Sequence, residues 1–276
     1  MNNKETQEYS AIIKKIRQKR KVVTTLTIIA LFIAIVFCSP AQIVLFDETV
    51  LDYKGVSPVI TVLIALLIFV LELIAHAIVS APLTTSMDVE CDPEKHLTLN
   101  MALNKQKNKD YICAIDFFYL GSFRVALDYA NKMIAVSKPA MVVAGLFNKS
   151  RCEFFLGDFV SLKETQKQYE SILSNIEKIR QKEKDSYIKI QKIINLMVAL
   201  SDEDTEKISA YRNIEAWNNS KANEGFLNYL KGLAAYIMEE KEEAIYRFMW
   251  VKENCGKTVL SQLAGDYLLK LSTSAK

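Results

Sequence analysis

The chain has 276 residues, 50% hydrophobic and 24% charged, with only 8 Gly and 5 Pro, and so few helix breakers favour a mainly helical protein. Its net charge of +3 is unevenly spread: residues 1–21 hold seven Lys/Arg against Glu5 and Glu8, whereas from Asp88 onward 27 basic residues face 26 acidic ones. A near-neutral body argues against nucleic-acid binding, which usually needs a concentrated basic face.

The N-terminal segment, residues 1–21, includes "EYSAIIKKIRQKRK", which puts Tyr9, Ile12, Ile13 and Ile16 on one helical face among basic residues. It reads either as a helix lying on anionic headgroups or as a topology signal continuous with a membrane span. Two apolar runs come next. Val22–Cys38 has 17 uncharged residues, about 26 Å as a helix; Val59–Val79 has 21 residues, about 31 Å. A bilayer core takes roughly 20 such residues, so the pair predicts a two-helix transmembrane hairpin. Lys14, Lys15, Arg17, Lys19, Arg20 and Lys21 precede the first run, and the connecting loop 39–58 has only Lys54 against Asp47, Glu48 and Asp52. The positive-inside rule then places the N-terminus and everything after the second span in the cytoplasm, at a cell membrane, with the loop outside. A cleaved signal peptide is the competing reading of the first run, with Cys38 at a lipoprotein-type cut, but bulky Phe37 sits where a small residue is preferred.

Within the second run, Glu72 and His76 lie four apart on one helical face, and an ionisable group inside a bilayer is a functional candidate. Thr24 and Thr27 of the first run fall at similar depth, in reach for hydroxyl-to-carboxylate bonds. A proton relay is the functional reading, and glue between helices is the plain one. Two ligands are too few for a metal site.

Residues 80–92 read as a linker: Pro82 interrupts the helical pattern, and Ser, Thr and Asp are turn formers. Asp92-Pro93-Glu94 then opens a helix, with an N-cap carboxylate and Pro in the first turn. From 93 to 276 the apolar period predicts helices over 93–106, 109–120, 122–136, 139–156, 158–180, 183–201, 203–218, 222–238, 240–254 and 257–272. The five cysteines are scattered with no CxxC pair, a pattern that suits reduced thiols better than a disulfide framework or a zinc site.

These helices repeat. "FFYLGSF" (Phe117–Phe123) returns 36 residues later as "EFFLGDF" (Glu153–Phe159), and Gly121 and Gly157 suit left-handed turns between tightly packed helices. Weaker copies put further turn points at 203 and 239, with Ala244 placed like Ala126, five residues after its turn. Helix pairs at this spacing stack into solenoids. On "YLGSFRVALDYANKMI" (Tyr119–Ile134), "FLGDFVSLKETQKQYESI" (Phe155–Ile172) and "GLAAYIMEEKEEAIYRFMWV" (Gly232–Val251) the chain resembles the tetratricopeptide repeats over roughly residues 110–276. Gly121, Phe123 and Ala126 match the family pattern. Leu162 replaces the Ala in the second copy, and Glu239 and Lys241 replace the Gly and aromatic in the third.

The resemblance implies an all-α fold, with a cytoplasmic tetratricopeptide-like α-solenoid after the membrane hairpin. It also implies a concave groove for a protein or peptide partner, lined by the first helix of each pair. By spacing from the turns those residues are Tyr111, Ile115 and Phe118, then Phe147, Asn148, Arg151 and Phe154, then Tyr229, Leu233 and Tyr236. Asn148 and Arg151, one turn apart, suit a peptide backbone and a carboxylate. The competing reading makes the aromatics packing between repeats, with Arg151 snorkelling to solvent.

Other motifs fall short of chemistry. "CGKT" (Cys255–Thr258) lacks the first Gly of a phosphate loop, which would stand at Val251, and two His leave little for a triad. The Lys/Glu-rich run 163–192 reads as a solvated face. The expectation is a non-enzymatic, membrane-anchored interaction scaffold without cofactor or metal; its partners are a protein and the lipid bilayer, and homo-oligomerisation is left open. The alternative is an accessory subunit of a membrane transporter or enzyme that uses Glu72 and His76.

Overall fold

The computed structural model describes residues 3–38, 41–45, 48–53, 58–103, 108–136, 138–174, 181–218 and 220–273. The chain is overwhelmingly helical and divides into two units, residues 1–82 and 83–276.

In the first unit, α1 (Asn3–Cys38) is one uninterrupted helix, so the basic segment runs straight into the apolar one. The loop expected at 39–58 contains an antiparallel hairpin of β1 (Ala41–Leu45) and β2 (Glu48–Tyr53), with Ala41 opposite Tyr53, Ile43 opposite Leu51 and Leu45 opposite Glu48. β-Branched Ile43, Val44, Thr49 and Val50 suit extended backbone. α2 (Pro58–Asp88) starts on a proline, whose missing N–H costs nothing in a first turn. Among the described residues one helix is long and apolar enough to cross a membrane, Val62–Asp88, 27 residues with mean hydropathy 2.8. Within its described part the run Val22–Cys38 does not meet that length and hydropathy. Its 17 residues reach about 26 Å, short of the roughly 30 Å hydrocarbon core.

Pro82 does not end α2 either; the helix continues through it to Asp88. Proline removes one backbone donor and crowds the preceding turn, a cost of about 3 kcal/mol. Burial just beyond offsets it. Leu83, Ser86 and Met87 are buried, and the Ser86 hydroxyl donates to the Leu83 carbonyl at 2.8 Å. The helix stops where Cys91 takes a left-handed backbone, φ 50°.

The second unit holds α3 (Pro93–Leu103), α4 (Lys109–Tyr119), α5 (Phe123–Ile134), α6 (Pro139–Leu156), α7 (Phe159–Ser174), α8 (Gln181–Ser201), α9 (Thr205–Tyr211), α10 (Lys221–Ile237), α11 (Lys241–Asn254) and α12 (Val259–Thr273). Asp92 caps α3 as expected, its Oδ1 accepting from the Lys95 amide at 3.0 Å. The expected helix over 203–218 is cut to α9, because the chain after Tyr211 turns Ile214 and Trp217 into the core; Ile214 is buried and Trp217 stands edge-on to Phe147 at 4.9 Å.

The four predicted turn points share one conformation. Gly121, Gly157, Glu203 and Glu239 all have positive φ, at 78°, 73°, 52° and 59°. At each, the turn residue's amide bonds the carbonyl three residues back and the next amide the carbonyl five back, as in Gly121 to Phe118 and Ser122 to Phe117. This is the glycine-type helix stop, which Glu203 and Glu239 adopt against about 1 kcal/mol of steric preference. Five residues after each turn stand Ala126, Leu162, Ile208 and Ala244, all fully buried. Seven before stand Ala114, Ser150, Leu196 and Gly232, also buried. A Cβ on Gly232 would lie 2.7 Å from the Phe248 ring, so this position lets α10 and α11 approach closely.

Consecutive helices pack from α3 through α12, most lightly where α9 meets α10. Alternate helices also touch, α4 on α6, α6 on α8, α8 on α10 and α10 on α12. The inner faces then meet across the array. Phe226 of α10 lies 5.7 Å from Phe118 of α4 and 6.3 Å from Phe147 of α6, and the Tyr119 hydroxyl donates to Asn223 Oδ1 at 3.0 Å.

Candidate functional site

That closure decides the fate of the expected groove. Phe118, Phe147, Asn148, Arg151, Tyr229 and Leu233 are buried, Ile115 and Phe154 are half-buried, and Tyr111 and Tyr236 are exposed. The faces on which the resemblance places a partner are largely occupied by the protein's own rings.

Arg151 sits at the centre of this cluster with 2% of its surface exposed, so it does not snorkel. Its guanidinium carbon is 4.4 Å from the Phe118 ring centroid, 4.8 Å from Phe147, 5.4 Å from Phe226 and 5.5 Å from Tyr119. One Nη donates to Asn148 Oδ1 and the other to the Tyr119 hydroxyl at 3.4 Å, while Nε has no hydrogen-bond partner. Among the described residues no carboxylate pairs with Arg151. Stacking on aromatic faces replaces a counter-ion. Asn148 gives its remaining donor to the Ala144 carbonyl at 2.8 Å. Burial pushes the Tyr119 hydroxyl well above the ordinary tyrosine range, against the opposing pull of Arg151.

The open site lies elsewhere. The segment after α9 and the flanks of α10 and α11 enclose a cleft of about 570 Å³, continuous through Lys231 and Arg247 with a hollow of about 240 Å³. Its lining is mostly polar. Arg212 pairs with Glu240, and Arg247 donates to Glu243 Oε1 at 2.7 Å and to Asn228 Oδ1 at 2.8 Å. Lys231 is half-buried and, among the described residues, makes no hydrogen bond or ion pair. Burial holds its ammonium below the usual lysine range, and the neighbouring Arg247 adds to that; Glu243 and Glu215 oppose it. A cation that burial and a second cation both disfavour, with hydrogen-bonding capacity unspent, is placed to receive an acceptor group from outside. The one mark of this residue in the sequence is that Lys231 is the lone charge in the run Phe226–Met238.

His96 and Asp116 form a second polar pair, joining α3 to α4. Nδ1 of His96 is 2.8 Å from both carboxylate oxygens of the fully buried Asp116. Burial raises the Asp116 carboxyl to about 6, with His96 pulling the other way. In α2, Glu72 and His76 face each other at 3.6 Å. Thr27, expected within reach of Glu72, instead donates to the Val23 carbonyl of its own helix at 3.1 Å. Among the described residues no group of three His, Cys, Asp or Glu side chains is placed to hold a metal ion. The cysteines scattered in sequence are not all apart in space, since Cys91 and Cys255 meet with their sulfurs 3.6 Å apart. No protein-family model, no curated protein and no solved structure matches the chain.

Proposed function

We propose that the chain is a non-enzymatic, membrane-anchored scaffold: a tetratricopeptide-like α-solenoid in the cytoplasm, tethered by a two-span N-terminal hairpin, that holds a protein partner at the bilayer. The observation that carries this reading is the same left-handed turn at positions 121, 157, 203 and 239, followed each time by a buried residue five positions on. Serial contact between successive and alternate helices is how a repeat array builds its core. The basic residues before Val22 and the acidic hairpin segment support the orientation.

With the inner aromatic face filled, the docking surface is the cleft around Asn213, Lys231 and Arg247. Its unspent cation and amides suit a polar stretch of a partner that brings one acceptor group to Lys231. The accessory-subunit reading ranks behind because Glu72 and His76 face each other and so have less need of an outside partner.

A photo-cross-linking residue placed at Asn213, with Val160 (74% exposed) as the control position, tests the reading in cells. One protein captured from position 213, absent from position 160, lost with Lys231→Glu and retained with a foreign membrane anchor is the expected result. Equal labelling at both positions, or capture indifferent to Lys231→Glu, rules out the cleft as the docking surface.

A further inference from the structure

The second unit fastens its beginning to its end at one point. Cys91, three residues past the end of α2, lies against Cys255, the residue after α11, with the two sulfurs 3.6 Å apart and both residues fully buried across 164 positions of sequence. Their neighbours bind as well, because the Lys257 ammonium pairs with Asp92. The sulfur of Cys255 occupies space that only a glycine leaves free, since a Cβ on Gly225 would stand 2.3 Å from it. The same seam carries the Tyr119–Asn223 hydrogen bond and brings the Gly121 turn against Val259.

We propose that Cys91 and Cys255 are a disulfide-forming pair, a modification site at which a small peroxide cross-links the start of the helical array to its end. The sulfurs have about 1.5 Å to close to reach the length of a disulfide bond. Cys91 is the attacking sulfur. The hydrogen bond from Cys255 and the nearby Lys221 favour its thiolate, whereas burial and that same hydrogen bond disfavour ionisation at Cys255. The Cys91 thiolate attacks one peroxide oxygen and the O–O bond breaks, leaving a sulfenic acid while the departing hydroxide takes up a proton as water. Cys255, losing its proton, then attacks the Cys91 sulfur; the S–S bond forms, the S–O bond breaks and a second water leaves. Two thiols and one peroxide become one disulfide and two waters. Because both sulfurs are buried, the oxidant enters by opening of the Cys91 turn, which makes the reaction slow and selective. The cross-link does not depend on the partner reading. Where that reading holds, it locks the array closed over its aromatic face.

The test treats the full-length protein in detergent micelles with hydrogen peroxide, alkylates the remaining thiols, and maps disulfides by mass spectrometry. A parallel sample is refolded in a glutathione redox buffer, so that burial cannot hide the pair. The expected product is a linked peptide joining positions 91 and 255, with Cys113 and Cys152 still alkylated. It migrates faster on a non-reducing gel, and its unfolding midpoint rises by about 5–10 °C and falls back on reduction. Cys91→Ser or Cys255→Ser abolishes the shift; the Cys113→Ser/Cys152→Ser double variant keeps it. Two results overturn the proposal: free thiols at 91 and 255 after redox refolding, or either cysteine joined preferentially to another.

Discussion

Arg151 is the residue at which the core can be interrogated most sharply. Removing a guanidinium from water costs several kcal/mol. The return comes from two charge-assisted hydrogen bonds, about 1.5–3 kcal/mol each, and from ring faces worth up to about 2 kcal/mol apiece when desolvated. The unpaired Nε and the lack of a carboxylate partner among the described residues reduce that return. Arg151→Met, which keeps the length and drops the charge but leaves Asn148 Oδ1 without its donor, is therefore expected to cost about 1–3 kcal/mol. Arg151→Ala leaves a hole between Phe118, Phe147 and Phe226 and strips Asn148 Oδ1 of its donor, so it costs about 3–5 kcal/mol. Urea denaturation of the full chain in micelles reads both, and fluorescence of Trp217, packed on Phe147, reports the cluster locally. Equal, large losses in the two variants would refute the reasoning, since the charge itself would then hold the core together. A harmless Arg151→Ala would refute the burial.

Three other outcomes rest on local geometry. Gly121→Ala and Gly157→Ala both strain a left-handed turn, but a Cβ at 121 also meets Val259 at 3.0 Å whereas 157 has nothing within 4 Å; thermal unfolding should show about 2–3 kcal/mol lost in the first and about 1 in the second. Glu239→Gly, relieving a positive φ in a non-glycine residue, should stabilise the protein by about 0.5–1 kcal/mol in the same assay. The Asp116 carboxyl, raised from its ordinary 3.8 to about 6, holds its proton more tightly folded than unfolded. Its contribution to stability is thus present below about pH 4 and is lost as pH rises to about 6, by roughly 2–3 kcal/mol; Asp116→Asn should flatten that part of a stability–pH curve.

The helices from Pro93 onward were legible because their apolar residues recur at the helical period and their stops are marked by Gly or charged turns; most described ends lie close to those read from the sequence, α9 stops seven residues short, and the ends expected at 106 and 180 lie outside the described residues. The turn points at Glu203 and Glu239 were legible only through spacing, because a glutamate carries no sign of a left-handed backbone. Pro82 misled for the opposite reason. Its local preference was read correctly, but burial of Leu83 and Met87 outweighs the lost backbone bond. The short α9 was hidden too, since the preference of Trp217 for the core over helical continuation depends on Phe147, distant in sequence.

By itself, then, the sequence determined what depends on neighbours a few residues away: the helical class, the repeat interval, the apolar run of α2 and the basic approach to α1. Only the tertiary structure decided what those helices enclose. A concave groove and a filled core use the same inward-facing aromatics, and the choice between them rests on how α10 meets α4 and α6. The contacts that set it, Phe118 with Phe226, Tyr119 with Asn223 and Cys91 with Cys255, join residues about a hundred or more positions apart. No local period or motif records pairings at that distance. They arise because curling the array buries aromatic surface that an open one leaves in water.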